Sequence, residues 1–309
     1  LTTLIVESPL SLRHIVPFGH PERPERMEAV GRVLAAPAFA ALPRAAAPMA
    51  DEAAILSCHT ARHLDAMRAA SPSEGFVRID ADTVMSPKTL EAALHAVGGA
   101  VLAVDRVLGG TAKNAFSAAR PPGHHAEPDA AMGFCFFNQA AIAARHAQTA
   151  HGLGRVAIVD FDVHHGNGTQ AIFWADRSVL YASSHQMPCY PGTGAATETG
   201  EAGTIVNAPL PPGTRGPAFR AAYRDRILPA LDAFAPELIV VSAGFDAHHR
   251  DPLAELELVE ADFAWVTEAL LERAERHAGG RLVSVLEGGY DLDGLAGGLA
   301  AHLDVLARA

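Results

Sequence analysis

Five short runs without a charged residue constrain the fold most: AFSA (Ala115–Ala118), VAIV (Val156–Val159), VLYAS (Val179–Ser183), LIVVS (Leu238–Ser242) and LVSVL (Leu282–Leu286). Runs this short and this rich in valine and isoleucine suit strands buried on both faces, as in a parallel sheet covered by helices. Leu4–Glu7 and Thr204–Asn207 are weaker strand candidates. Between the runs lie helical patterns. One covers Gly19–Leu34, with Met27, Val30, Val33 and Leu34 on one face, and another covers Ala53–Ala70. Lys88–Leu108 follows Ser86-Pro87, and Asn138–Ala150 precedes the second run. Phe219, Tyr223, Ile227 and Leu231 recur every fourth residue with Pro229 as a kink, and Val259, Phe263, Val266 and Leu270 mark a further helix. An alanine- and proline-rich connector runs to about Met49, and a helix closes the chain. Alternating strands and helices predict an α/β fold, a mainly parallel β-sheet flanked by helices on both faces. No linker divides the chain, so residues 1–309 are expected to form a single domain.

A net charge of -11 lacks the basic face that nucleic-acid binding needs. The three cysteines, Cys58, Cys135 and Cys189, have neither disulfide nor thiolate-zinc spacing. LTTLIVESP lacks the basic start and long apolar run of a signal peptide, and no run reaches membrane-spanning length, so a cytoplasmic location is the expectation.

The clusters RPPGHH, DFDVHHGNG, SSH, GFDAHH and EGGY each follow a predicted strand. Ligands of open α/β sheets bind beyond the carboxyl ends of the strands, so the clusters are expected to share one crevice. Asp162 and His164 are two apart and in extended backbone would point the same way; Asp246 is the natural third ligand. Two carboxylates and an imidazole leave an open position, as a catalytic zinc needs. Alone, DVH would read as a capped strand end, and it is the company of the other clusters that favours metal. His124 and His125 form an imidazole pair able to move protons, with Asp160 to orient one of them, and Tyr290 can donate to a developing oxyanion. His59 and His63 have the spacing of a helical zinc site but lack its glutamate, Thr60 following His59. His165, His248 and His249 adjoin ligand candidates and compete with them. No GxGxxG, phosphate loop or GxSxG elbow occurs.

Taken together, RPPGHHAE, GFCFFN, VDFDVHHGNGTQ, YPGTG, SAGFDAHHRDPL and LEGGY make the chain resemble the histone deacetylase and acetylpolyamine amidohydrolase family of the arginase-like fold. RPPGHHAE and the asparagine of HHGNGTQ look most like the class II branch. The resemblance implies one zinc on Asp162, His164 and Asp246, with His124 and His125 as the tandem proton-transfer pair and Tyr290 polarising the acetyl carbonyl. Asp160 would orient His124, and Asn167 would orient His125 where class I members carry aspartate. Gly133, Phe134 and Tyr190 would line the substrate channel, with Cys135 at its foot and Leu253 at its rim. Potassium is implied at two sites, the first at Asp160, Asp162, His164, Ser183 and Ser184, the second at Phe173, Asp176 and Val179. Arg26 resembles the arginine beneath the active site linked to acetate release. Leu253 stands where polyamine-selective class II relatives carry glutamate, which tilts the expectation toward acetylated lysine over an acetylated polyamine. Asp80 and Asp82 are the candidates for an acidic rim. No nucleic-acid or membrane partner is expected, and a homo-oligomer is compatible with the sequence. The rival readings are a binuclear arginase-like enzyme, whose DAHxD pattern fails because Asp251 comes one residue late, and a catalytically silent acyl-lysine binding module.

Overall fold

Alternate residues of the central strands bury into opposite layers. Leu4, Val156, Ile158, Leu238, Val240 and Val283 share one core, whereas Ile5, Ala157, Val159, Ile239, Val241 and Leu282 share the other. Such runs can only be satisfied by a sheet covered twice. The computed structural model describes residues 2–309. Its elements begin with β1 (Thr3–Glu7), α1 (Glu25–Ala35), β2 (Arg44–Ala46), α2 (Glu52–Leu56), α3 (Ala61–Ala70), β3 (Val77–Arg78), β4 (Val84–Met85) and α4 (Thr89–Leu108). Then come β5 (Asn114–Ala118), α5 (Gln139–His151), β6 (Val156–Asp160), α6 (Asn167–Phe173), β7 (Val179–Gln186) and β8 (Ile205–Leu210). The last are α7 (Gly216–Ala222), α8 (Leu228–Phe234), β9 (Leu238–Ala243), α9 (Glu260–Ala278), β10 (Leu282–Leu286) and α10 (Leu292–Arg308).

The main sheet is parallel, in the order β2-β1-β5-β10-β9-β6-β7-β8. Residues of α1, α9 and α10 pack in one core, and residues of α4 and α5 in the other. Register sets the carboxyl ends level: Asp160 stands beside Ser183 and Ser242, and Leu286 beside Ala243. All described residues lie in this one α/β domain.

Several expectations need correction. The helix expected over Ala53–Ala70 is two, because Thr60 breaks it and caps α3, its side chain accepting from His63 N. The connector before Met49 contains the edge strand β2, whose RAA is too short and too weakly apolar to show a strand pattern. The hairpin β3–β4 is exposed along Val77–Arg78 and was equally silent. SSH does not follow a strand but lies inside β7, which runs on to Gln186. Around Pro229 the chain passes through one π-helical stretch, Tyr223–Ile227, before α8. That widened turn absorbs a proline that cannot donate to the helix ladder.

The packing of α4 against the segment between β2 and α2 depends on Gly98. A Cβ there would lie 2.0 Å from the carbonyl oxygen of Pro48. Glycine-to-alanine changes inside helices usually stabilise by about 1 kcal/mol. Here overpacking against backbone outweighs that gain, so Gly98→Ala should lower the unfolding free energy by about 2 kcal/mol. Urea unfolding checks this; an unchanged or raised midpoint would show that the approach is not tight.

Candidate active site

Four strands that are neighbours in the sheet, β5, β10, β9 and β6, open at the same edge. Their loops carry His124 and His125, then Glu287 to Tyr290, then Asp246, then Asp162 and His164. Adjacency in the sheet, rather than along the chain, brings these residues together. The expected reason for pairing Asp162 with His164 is corrected: β6 ends at Asp160, and both residues sit in the bend after it. They converge because the His164 N–H folds back to Asp162 Oδ1 (2.9 Å).

Asp162, His164 and Asp246 are buried, and one ligand atom of each lies within 4.8 Å of the others. His164 Nδ1 is 3.1 Å from Asp162 Oδ1 and 3.2 Å from Asp246 Oδ2. The other oxygens accept backbone N–H groups, Asp162 Oδ2 from Gly288 (2.8 Å) and Asp246 Oδ1 from Val163 (2.8 Å). Each carboxylate is thus locked with one oxygen turned toward the imidazole. Two further carboxylates, Asp160 and Glu287, are wholly buried nearby. Burial and the charge of Asp162 push Asp246 up to about 7, and burial pushes Glu287 up to about 7. So many carboxylates away from water need a cation, and an N/O donor set of this kind fits zinc.

The imidazole pair is electrostatically unlike. Asp160 Oδ2 accepts from His124 Nδ1 (2.9 Å), and Asp162 Oδ1 lies 3.7 Å from its Nε2. Burial opposes the charged form of His124, but these two carboxylates outweigh it and raise its pKa to about 10. His125 Nδ1 instead meets the neutral amide oxygen of Asn167 (2.8 Å). Burial, then the neighbouring imidazoles of His124 and His164, hold His125 well below the usual imidazole range. The Asn167 amide nitrogen donates to Glu127 Oε1 (2.8 Å), which turns its oxygen toward His125. His125 therefore carries its proton on Nδ1, leaving the Nε2 lone pair free.

A cavity of about 220 Å³ is lined by Asp82, His125, Gly133, Phe134, His164, Tyr190, Leu253 and Tyr290. Phe134 has a positive φ of 67°, unusual for a non-glycine residue, and its N–H is tied to Thr83 Oγ1 (3.0 Å). Its ring meets Tyr290 edge-on at 5.7 Å, and Tyr190 meets His125 edge-on at 5.1 Å. Below, the Arg26 guanidinium lies 5.0 Å from the centre of the Tyr290 ring and donates to the Gly289 and Glu287 carbonyls (2.7 and 2.5 Å). Of the acidic rim candidates, Asp82 lines the cavity, whereas Asp80 is occupied by the N–H groups of Asp82 and Thr83.

The competing histidines are structural. His165 bonds Thr193 and Gln170, His248 stacks on Phe263, and His249 faces the Leu258 carbonyl. His59 and His63 bond the Glu127 and Phe136 carbonyls. Cys135 is buried, its thiol donating to the Gly133 carbonyl. Asp251 accepts from Tyr290 and Leu253 N–H groups (2.7 and 3.0 Å), so it holds the Tyr290 loop rather than a second metal. At the places expected for potassium, Ser183 Oγ bonds His185, Ser184 Oγ bonds the Tyr223 hydroxyl, and the Asp176 carboxylate pairs with Arg145 and Ser178. That leaves main-chain oxygens there. Sequence reasoning gave no role to Glu287, Glu127 or Asp251. Glu287 had a signal, being an acid directly after an apolar strand; the other two had none.

A family model described as histone deacetylase domain matches residues 20–306. The histone deacetylase-like amidohydrolase of Pseudomonas aeruginosa is 44% identical over 277 residues, covering 88% of this chain and 73% of that protein. A probable deacetylase of Archaeoglobus fulgidus is 42% identical over 243 residues, covering 78% of this chain and 67% of that one. The crystal structure of the HDA15 HD domain superposes with a TM-score of 0.94 at 36% identity, over 99% of this chain and 88% of that one.

The locked carboxylates give a direct test. A Cβ at Gly288 would lie 2.0 Å from Asp246 Oδ2 and 2.6 Å from Asp162 Oδ2. Gly288→Ala should leave the far-UV circular dichroism unchanged while weakening zinc binding about 10–100-fold. Wild-type affinity in equilibrium dialysis would disprove that these two carboxylates hold the metal.

Proposed function

Because this chain belongs to the histone deacetylase family and is a deacetylase acting on amides, we propose that it uses zinc to hydrolyse the N-acetyl amide of acetyl-lysine or a related acetylated alkylamine, releasing acetate. The observation that carries this reading is the meeting of His164 Nδ1 with one oxygen each of Asp162 and Asp246, His164 itself lining a cavity shared with His125 and Tyr290. Zinc held there would supply Lewis acidity toward the acetyl carbonyl and bring the pKa of water to about 7.

The chain's own residues do the rest. Phe134, Tyr190 and Leu253 give the cavity apolar walls suited to the methylene stem of a lysine-like amine. Burial, only partly offset by Arg26, keeps the Tyr290 phenol protonated and able to donate to the carbonyl oxygen as charge develops. His125 faces the cavity with a free Nε2, takes a proton from the attacking water and returns it to the departing amine. His124, between Asp160 and Asp162, stays cationic and stabilises the negative charge of the transition state. Main-chain oxygens around Asp160, Asp162, His164, Ser183 and Ser184, and around Phe173, Asp176 and Val179, are the proposed potassium ligands.

The rim supports acetyl-lysine through the apolar Leu253. A second reading, acetylpolyamine hydrolysis, draws on Asp82, which lines the same cavity and would attract a distal ammonium. Comparing kcat/KM for an acetyl-lysine peptide and acetylpolyamines decides between them. Acetate release should stop on chelation and return with zinc, and Tyr290→Phe should lose on the order of a hundredfold in kcat. Near-normal turnover by Tyr290→Phe would overturn the oxyanion role. Asn167→Asp places a carboxylate against His125 and should raise its pKa by about 1–3 units. A base must be neutral, so the acid limb of the kcat/KM profile should move to higher pH by a similar amount. An unmoved acid limb would remove His125 as the base.

A further inference from the structure

Among the described residues, a second group brings three ligand atoms within 4.8 Å of one another: Asp105, His146 and His151. It lies away from the active site, where α4 packs against α5. Both imidazoles point Nε2 at the same oxygen, Asp105 Oδ1, at 2.7 Å from His146 and 2.8 Å from His151. We propose that these three side chains form a second metal site, taking a borderline transition dication such as Zn²⁺, Co²⁺, Ni²⁺ or Cu²⁺ and tying the ends of the two helices together. This goes beyond the deacetylase reading and does not rest on it.

Four observations point to a dication. The donor set is two imidazoles and one carboxylate, which suits these metals and not Mg²⁺ or Ca²⁺. Ligands about 2.0–2.1 Å from a tetrahedral ion stand about 3.4 Å from one another, so a small rotation of Asp105 would admit one. Among the described residues no lysine or arginine pairs with Asp105, whose ion-pair partners are these two imidazoles. The site also collects two helix C-termini. Asp105 is in the last turn of α4, and His151 is the last residue of α5, followed by Gly152 in the left-handed conformation. The terminal carbonyls of both helices add partial negative charge and favour a cation.

The frame is rigid and the opening is wet. Ala100, Val104 and Val107 of α4 and Ala140, Ala144 and Ala147 of α5 are buried in one core, fixing the distance between the helices. The side chains of His146, His151 and Asp105 are 22%, 26% and 45% exposed, so an ion can enter and water can complete its coordination.

Equilibrium dialysis of the full chain against Zn²⁺ alone, after chelation, tests the proposal. Wild type should bind two equivalents, and the double variant His146→Ala with His151→Ala should lose one, its affinity falling at least tenfold. That variant should keep the wild-type far-UV circular dichroism spectrum, which shows that it is folded. Asp246→Ala removes the other equivalent, and Cu²⁺ added to it should show two equivalent nitrogen couplings by electron paramagnetic resonance. A second equivalent that vanishes with the histidines supports the site whatever Asp246→Ala does, so failure of the active-site assignment is seen separately. Zinc stoichiometry that the double substitution leaves unchanged, whether one equivalent or two, overturns it.

Discussion

The structure depends on keeping four carboxylates, Asp160, Asp162, Asp246 and Glu287, buried together at one end of the sheet. Isolated buried charges are prohibitively costly unless each is paired or hydrogen-bonded. Here the loops themselves supply the donors: the N–H groups of Asp162, Val163, His164, Gly123 and Gly288 all end on these carboxylates. The loops after four strands are thereby cross-tied, and a backbone shift in one disturbs the oxygens of another. Complete satisfaction by protein alone is not reached, because the His164 imidazole faces two carboxylate oxygens at once. That surplus of negative donors is the physical reason the place suits a dication.

The same anionic field separates two adjacent histidines. His124 lies against carboxylates and His125 against an amide, so neighbours of identical chemistry are held in opposite charge states. The distinction rests on Asn167, whose orientation Glu127 sets. Beneath them a second buried network positions the Tyr290 loop. Glu22 accepts from Arg120 (2.6 and 2.7 Å) and Arg26 (2.8 Å), and Arg26 reaches the carbonyls on either side of Gly288. Removing Glu22 would leave two buried guanidinium groups without their anion, a strongly unfavourable state. The tyrosine is thus aimed from below by Arg26 and from the rim by Asp251.

The sequence by itself determined the sheet, the donor chemistry and the family. Runs such as VAIV and LIVVS can be satisfied only with both faces covered, and motifs as dense as VDFDVHHGNGTQ carry side chains, glycines and spacing together. It named Asp162, His164 and Asp246 together, and the structure brings them together, although a bend and not a strand pairs the first two. Tertiary structure alone decided what depends on residues distant in the chain. Glu127 on Asn167 and Glu22 on Arg120 carry no local signal, because a carboxylate in a loop looks the same in sequence whether it meets water or a guanidinium. Nor does spacing show that Asp105 meets His146 and His151, since only the packing of α4 on α5 puts one oxygen between two rings. Periodicity reports which face is buried; which polar atoms then meet is set by how the buried faces stack.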